Sequence, residues 1–141
     1  MRRALIVVIV LIAAFGVTTL VALEGGGVAV LTTTTPDGSA RKTRVWFAES
    51  DGALWVEAAT ESRPFFVDLV ARPELVVELR RSPLAPTETL TGIAQPVAEP
   101  GGHERIRSLL AAGYGWADAW IGLLQDTSQS RAVRIETRPL R

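Results

Sequence analysis

An uninterrupted apolar stretch near the amino terminus constrains this chain more than any other feature. Residues 4–23 carry no charge, follow Arg2 and Arg3 directly, and end where the polar part of the chain begins at Glu24. A helix of that length crosses a hydrocarbon core of about 30 Å. We therefore expect residues 1–23 to form a single-pass transmembrane anchor. Residues 24–141 suffice for one compact domain beside the membrane.

Two other interpretations of the apolar stretch stay open. A cleaved signal peptide is similar in composition, but its apolar region is usually shorter, and cleavage after Ala22 would place bulky Leu20 where a small residue is preferred. A buried helix of the domain is the second alternative. For an anchor, the positive charges of Arg2 and Arg3 favour a domain outside the cytoplasm.

The amino-acid composition argues against several kinds of functional site and partner. The 15 basic and 15 acidic residues balance, which gives no reason to expect a nucleic-acid partner. The sequence has no cysteine, so disulfides, thiolate catalysis and thiolate metal sites are excluded. With a single histidine, His103, we expect no metal site. The sequence also lacks a Ser/His/Asp set and a Walker-type loop.

The pattern after the apolar stretch predicts a small barrel of about six mostly antiparallel strands with short flanking helices, an α+β fold. Turn residues at 36–39 and 50–52 separate runs of β-branched and alternating residues. We expect strands at residues 28–35, 41–49, 53–59, 75–79, 89–97 and 132–137. Residues 25–27 are all glycine, and we expect them to be a flexible joint.

Three short helices are expected among these strands. The first begins around Ser62 to Pro64 and ends before Pro73. The second covers residues 104–112 and is ended by Gly113. The third presents four apolar residues on one face, namely Trp116, Trp120, Ile121 and Leu124.

Two groups of residues are candidate ligands for a phosphate. Lys42, Arg44 and Trp46 alternate onto one strand face, where cations and an indole could hold a phosphate and stack on a ring. The segment from Ala59 to Arg63 brings hydroxyls, a guanidinium and free backbone N–H groups to a helix start. The alternatives are a solvated strand face and an ordinary N-cap. If the groups converge, they describe one phosphate-bearing ligand.

A third group is aromatic and lies near the carboxyl-terminal end of the chain. Tyr114, Trp116 and Trp120 could cover a flat ring, although aromatics at this spacing are also typical of a core. We regard the three as candidates for a substrate pocket.

The stretch Val30–Pro73, VLTTTTPDGSARKTRVWFAESDGALWVEAATESRPFFVDLVARP, resembles the flavin split-barrel superfamily that includes the pyridoxamine-phosphate oxidases. Within it, the chain looks most similar to the deazaflavin-dependent nitroreductases. In that family a strand ending in threonines leads to a basic-aromatic strand, a DG hairpin, and an aromatic helix that ends before a proline. Residues 114–136, YGWADAWIGLLQDTSQSRAVRIE, resemble the family's carboxyl-terminal end.

The resemblance implies a split barrel, commonly a homodimer, that binds a reduced deazaflavin or, as second choice, FMN. Carried over by position, the implied cofactor-binding residues are Lys42, Arg44, Trp46, Ala59, Thr60, Ser62 and Arg63. Two features depart from the pattern. Pro64 replaces the lysine of the oxidases' Ser-Arg-Lys, and residues 35–39 replace the nitroreductases' Gly-Arg-Lys-Ser-Gly turn.

These features predict a membrane-anchored oxidoreductase that reduces a hydrophobic acceptor, such as a quinone or a nitro compound, by chemistry that belongs to the cofactor. The alternative is a non-catalytic split-barrel module that has lost tight cofactor binding. A haem-handling relative is a third interpretation, for which His103 would be the one available imidazole ligand.

Overall fold

The computed structural model describes residues 2–140, which form four helices and seven strands. The helices are α1 (Arg2–Glu24), α2 (Pro64–Ala71), α3 (Gly101–Tyr114) and α4 (Trp116–Leu124). The strands are β1 (Val28–Thr34), β2 (Ala40–Val45), β3 (Phe47–Ser50), β4 (Ala53–Ala58), β5 (Glu74–Arg80), β6 (Glu88–Pro96) and β7 (Arg131–Pro139).

All seven strands belong to one antiparallel sheet in the order β2-β1-β5-β6-β7-β4-β3. Strands β2 and β3 are consecutive in the chain, yet they occupy opposite edges of the sheet. Only Trp46 separates them, and two trans peptide steps span at most about 7.6 Å. The sheet must therefore curl until its edges meet at this corner. This geometry confirms the predicted α+β fold with a mostly antiparallel, partly closed barrel.

The prediction of one strand over residues 41–49 is wrong in one respect. Val45 pairs with Ala29 of β1, whereas Phe47 pairs with Val56 of β4, so the partner changes at Trp46. The alternation of side chains continues through the break, which is why the sequence pattern alone does not reveal it.

The interior of the curled sheet holds the main core. Buried aliphatic residues alternate along the strands, and α2 covers one side with Phe65, Phe66 and Leu69. A smaller core lies outside the barrel, where Ile106 and Leu110 of α3 contact Trp55 and Ala132 together with partly buried neighbours. The sheet is thus covered on both faces near β4 and β7.

Helix α2 follows the prediction, with Pro64 in its first turn and its end at Arg72 before a proline. Helix α3 is longer than the predicted helix over residues 104–112, because it begins at Gly101 and continues through Gly113. Its end comes at Gly115, whose φ of 51° suits a residue without a side chain and turns the chain into α4.

The three glycines after α1 are packed closely, in contrast to the expected flexible joint. A Cβ on Gly26 would lie 2.5 Å from Cε1 of Tyr114, and one on Gly27 would lie 2.8 Å from Cε1 of Phe47. The segment is therefore rich in glycine because two aromatic rings lie against its backbone.

Helix α1 is long and apolar enough to cross a membrane, with a mean hydropathy of 2.9 in its most apolar window. None of that window is buried by the rest of the protein, which argues against a buried domain helix. A signal sequence near the amino terminus has the same length and composition as such an anchor. At its carboxyl end the helix joins the domain, where Ala22 is fully buried.

Ile135 and Ile93 provide a matched test of this packing on neighbouring strands. Ile135 is fully buried and Ile93 is 48 % exposed. We expect Ile135→Ala to lower the free energy of unfolding by about 2–5 kcal/mol, because it leaves a cavity. Ile93→Ala should change it by no more than about 0.5 kcal/mol. Urea unfolding of both full-length variants in detergent measures the difference. Equal losses would contradict the described core.

Candidate functional site

A cleft of about 560 Å³ lies between the end of α1, strand β2, the start of α2 and the faces of α3 and α4. The closure of the sheet at Trp46 creates it, since β2 and β4 are not paired but both contribute residues. Its volume is within the range of small-molecule sites, about 300–1,000 Å³.

Five of the seven predicted cofactor-binding residues line this cleft: Lys42, Arg44, Trp46, Ala59 and Arg63. Thr60 and Ser62 do not, and their hydroxyl oxygens lie 2.9 Å apart, hydrogen-bonded to each other. The structure therefore brings together the two predicted phosphate-binding groups, except for the two hydroxyls between Ala59 and Arg63.

Most of the basic side chains in the cleft already have acidic partners. Lys42 Nζ lies 3.1 Å from a carboxylate oxygen of Glu78 on β5. Arg44 forms an ion pair with Glu24, the last residue of α1. These pairs are half-exposed, so each adds little stability, but they reduce the positive charge that the strand face offers to a ligand.

Arg41 also lines the cleft, and its Nε donates to Asp68 at 2.8 Å. Asp68 is almost fully buried and accepts a second hydrogen bond from Thr33. This arrangement holds the middle of α2 against β1 and β2. It thereby fixes the orientation of the first turn of α2 at the cleft.

Arg107 of α3 forms the most enclosed ionic cluster of the cleft. Its guanidinium donates to both oxygens of Asp118, at 2.7 and 2.8 Å, and to both oxygens of Glu57, at 3.0 and 3.3 Å. Although burial acts to lower the pKa of Arg107, the hydrogen bonds to Asp118 and the charge of Glu57 raise it overall. Two carboxylates thus pair with one arginine, so the cluster as a whole offers no positive charge to a ligand.

Arg63 differs from the other cations of the cleft. Within residues 2–140 its guanidinium forms no ion pair, and it precedes Pro64 at the start of α2. The helix also has no side-chain hydrogen bond at its N-cap. The positive end of a helix dipole and an unpaired guanidinium therefore face the same part of the cleft.

Trp46 and Tyr114 form the corner between the two edge strands. Their rings stack with centroids 4.4 Å apart. The Tyr114 hydroxyl lies within donating distance of the carbonyl oxygens of Gly27 and Phe47, at 2.6 and 2.9 Å, and accepts from Phe47 N–H at 3.1 Å. Trp46 Nε1 donates to Leu23 O at 3.3 Å, which ties the corner to α1.

The three aromatics predicted for a substrate pocket do not line the cleft. Tyr114 belongs to the corner behind it, and Trp116 is 58 % exposed on α4. Trp120 instead packs against α1, with its ring centroid 5.5 Å from that of Phe15 and its Nε1 donating to Thr19 Oγ1 at 3.1 Å. Their role in substrate binding stays a prediction.

The sequence analysis did not identify the ionic cluster that lines the cleft, which consists of buried Asp118 and partly buried Glu57 and Arg107. Glu57 interrupts an otherwise apolar strand, and Asp118 is the one charged residue of an otherwise apolar helix. Both are signals that a basic partner is needed. Nothing in the sequence identified Arg107 of α3 as that partner.

His103 lies on α3 outside the cleft, with Nδ1 2.8 Å from Ser130 Oγ. No group of three or more potential metal ligands occurs among residues 2–140. A second depression of about 540 Å³ is lined by the threonines of β1 and by β5, β6 and β7. None of the predicted site residues lines it.

No model of a known protein family and no curated protein matches the sequence. Several solved structures do match over most of the chain. An F420 reductase superposes with a TM-score of 0.60 at 21 % identity, over 83 % of this chain and 90 % of its own. The conserved hypothetical protein Rv2991 from Mycobacterium tuberculosis gives 0.59 at 22 % identity, over 87 % of this chain and 79 % of its own.

A proposed pyridoxamine 5'-phosphate oxidase from Listeria innocua gives a TM-score of 0.57 at 19 % identity, over 86 % of this chain and 92 % of its own. These similarities show that the chain shares the fold of these three proteins, a curled antiparallel split barrel. At such identities they establish the fold, and the narrower resemblance to deazaflavin-dependent nitroreductases stays a prediction.

Tyr114 is the only tyrosine of the sequence, so its phenolate can be followed by ultraviolet difference absorbance. Burial raises the pKa of its phenol above the ordinary value, against a smaller opposing effect of the hydrogen bond from Phe47. We expect its titration midpoint in the folded protein to exceed that in the unfolded chain, about 10.

A raised pKa in the folded state gives a stabilising contribution that is complete below pH about 10 and is lost as the pH rises through the folded-state value. Tyr114→Phe should remove this part of the pH dependence of the unfolding midpoint. Coincident titration of folded and unfolded protein would contradict the buried corner.

Proposed function

We propose that this protein is a membrane-anchored oxidoreductase that uses a reduced deazaflavin, or alternatively FMN, to reduce a hydrophobic acceptor such as a quinone or a nitro compound. The observation that carries the proposal is the convergence of Lys42, Arg44, Trp46 and Arg63 in one cleft beside the end of α1. The split-barrel fold and its similarity to an F420 reductase support the same class of cofactor.

The residues of the cleft fit a phosphate-bearing ring compound at one end. Arg63 and the backbone N–H of Phe65 in the first turn of α2 could hold a phosphate by charge-assisted hydrogen bonds. Apolar side chains elsewhere in the cleft, such as Val45, Leu110 and Ile121, could cover a ring and exclude water. When bound, the reduced cofactor supplies a hydride, while the protein supplies its placement.

A specific observation favours the non-catalytic alternative. Lys42 and Arg44 are paired with carboxylates, and so is Arg107. A ligand phosphate must compete with these partners, which weakens any attraction that depends on those three cations. A module with this cleft could therefore bind a less charged ring compound without catalysis. Direct titration distinguishes the two functions.

The chain would act next to lipid, which suits an acceptor that is soluble in the membrane. Leu23 and Glu24, at the end of α1, line the same cleft as Arg63. An acceptor that diffuses in the bilayer would therefore have a short path to the cofactor. We retain a homodimer as part of the proposal, because the resemblance implies it.

Arg63→Ala should weaken binding of an oxidised deazaflavin or of FMN by about 1.5–3 kcal/mol, the value of a charge-assisted contact. Arg44→Ala should weaken it less, because Arg44 must first release Glu24. Arg134→Ala on β7 is the matched control, since Arg134 is paired with Glu136 outside the cleft. Fluorescence titration of each purified full-length variant measures the affinities.

Two outcomes of this titration would count against the proposal. If neither cofactor binds the unmodified protein, the non-catalytic alternative is favoured. If both bind but Arg63→Ala matches the control, the phosphate lies elsewhere in the cleft.

The side of the membrane on which the domain lies is linked to the proposed activity. Flanking charge favours an external domain, whereas reduced cofactor is regenerated in the cytoplasm. We expect a cytoplasmic domain to bind cofactor and an external one to be empty. Carboxyl-terminal reporter fusions that are active on only one side of the membrane determine the location. An external domain that binds reduced deazaflavin tightly would contradict the link.

A further inference from the structure

Helix α4 presents an apolar surface to solvent beside the apolar helix α1. Its one charged residue, Asp118, is buried and bound to Arg107. The outward residues are apolar, with Leu123 81 % exposed, Trp116 58 % and Leu124 48 %. Soluble surfaces rarely carry so continuous an apolar face without a binding partner.

Contacts between the two helices fix where this face lies along α1. Trp120 packs against Phe15 and donates a hydrogen bond to Thr19. Thr19 precedes Glu24 by five residues, which is about 7.5 Å along the helix axis toward the middle of the apolar stretch. If Glu24 marks the polar boundary of the anchor, α4 lies at the depth of the hydrocarbon layer nearest to the headgroups.

We propose that α4 is a second membrane contact. It would be an interfacial helix that inserts its apolar face, formed by Trp116, Leu123 and Leu124, into the bilayer beside α1. Interfacial helices bury their apolar face by about 5–10 Å and favour tryptophan at the headgroup level. The occupant of this face is lipid, because the face is continuous with the exposed side of a helix that can cross a membrane.

This contact would place the cleft at the lipid surface. Ile121, Gly122 and Gln125 line the cleft from α4 and its end, opposite Leu23 of α1. A lipid-soluble molecule could then enter between the two helices without crossing the aqueous phase. The inference rests on the anchoring part of the proposed function, and it adds how the domain is oriented on the membrane.

Site-directed labelling can test the contact because the chain contains no cysteine. The full-length variants Leu123→Cys, Leu84→Cys and Leu11→Cys are each labelled with a nitroxide and reconstituted in phosphatidylcholine vesicles. Leu84 is 98 % exposed in the loop between β5 and β6 and is the aqueous control. Leu11 reports on the anchor itself. Ala119→Cys, on the same outward surface of α4, is a second reporter.

Collision with dissolved oxygen and with a water-soluble nickel chelate is measured for each label. We expect the oxygen-to-nickel ratio at Leu123 and Ala119 to exceed that at Leu84 by several-fold and to approach that at Leu11. If Leu123 and Ala119 match Leu84, the lipid contact of α4 is overturned. The label at Leu11 then shows separately whether α1 lies in the bilayer, which is the anchoring part of the proposed function.

A second copy of the chain is the alternative occupant of the face. In that case protection from nickel at Leu123 would disappear as the protein is diluted with lipid, and oxygen collisions would stay as low as at Leu84. That result would also overturn the proposal. Protection that persists on dilution, together with high oxygen collision, supports lipid.

Discussion

The closure of the sheet at a single residue governs the rest of this structure. Because only Trp46 joins β2 to β3, the two edges of a seven-stranded sheet must meet at one corner. Tyr114 stacks on Trp46, bonds the backbone of Phe47, and packs against Gly26. The same corner holds the end of α1 through the bond from Trp46 to Leu23. Barrel closure and the junction with α1 are therefore one interaction.

This closure also creates the cleft and determines its charge. Strands β2 and β4 are separated in the sheet, but curling brings their side chains to the same space. The carboxylates of partly buried Glu57 and buried Asp118 require a cation, and Arg107 pairs with both. As a result, the cleft is less positive than its basic residues suggest. Arg63, at the start of α2, differs from the other cations of the cleft in forming no ion pair within residues 2–140.

The contact between the apolar helices α1 and α4 is the second feature that organises the domain. Helix α4 turns its one carboxylate toward α3 and its apolar residues outward, next to α1. The start of α4 depends on Gly115, whose positive φ reverses the chain directly after Tyr114. The corner residue, the chain reversal and the α1 contact are thus consecutive in sequence, within residues 114–120.

The sequence by itself determined the local elements and the fold class, because alternation, turn residues and the apolar stretch are local properties. It also placed Lys42, Arg44 and Arg63 among the candidates, since their types and strand positions are visible in the chain. It could not reveal the break at Trp46, where the alternation continues while the pairing partner changes. Pairing is decided by the curled sheet as a whole.

Tertiary structure alone decided which candidates share a site and which have other roles. Tyr114 and Trp120 have the residue types of a ring-binding pocket, but packing assigns one to the corner and the other to α1. The ion pairs of Arg44 and Arg107 join residues distant in sequence, so no local pattern predicts them. The physical reason is that charge neutralisation depends on distances in space, which are fixed only when the sheet closes.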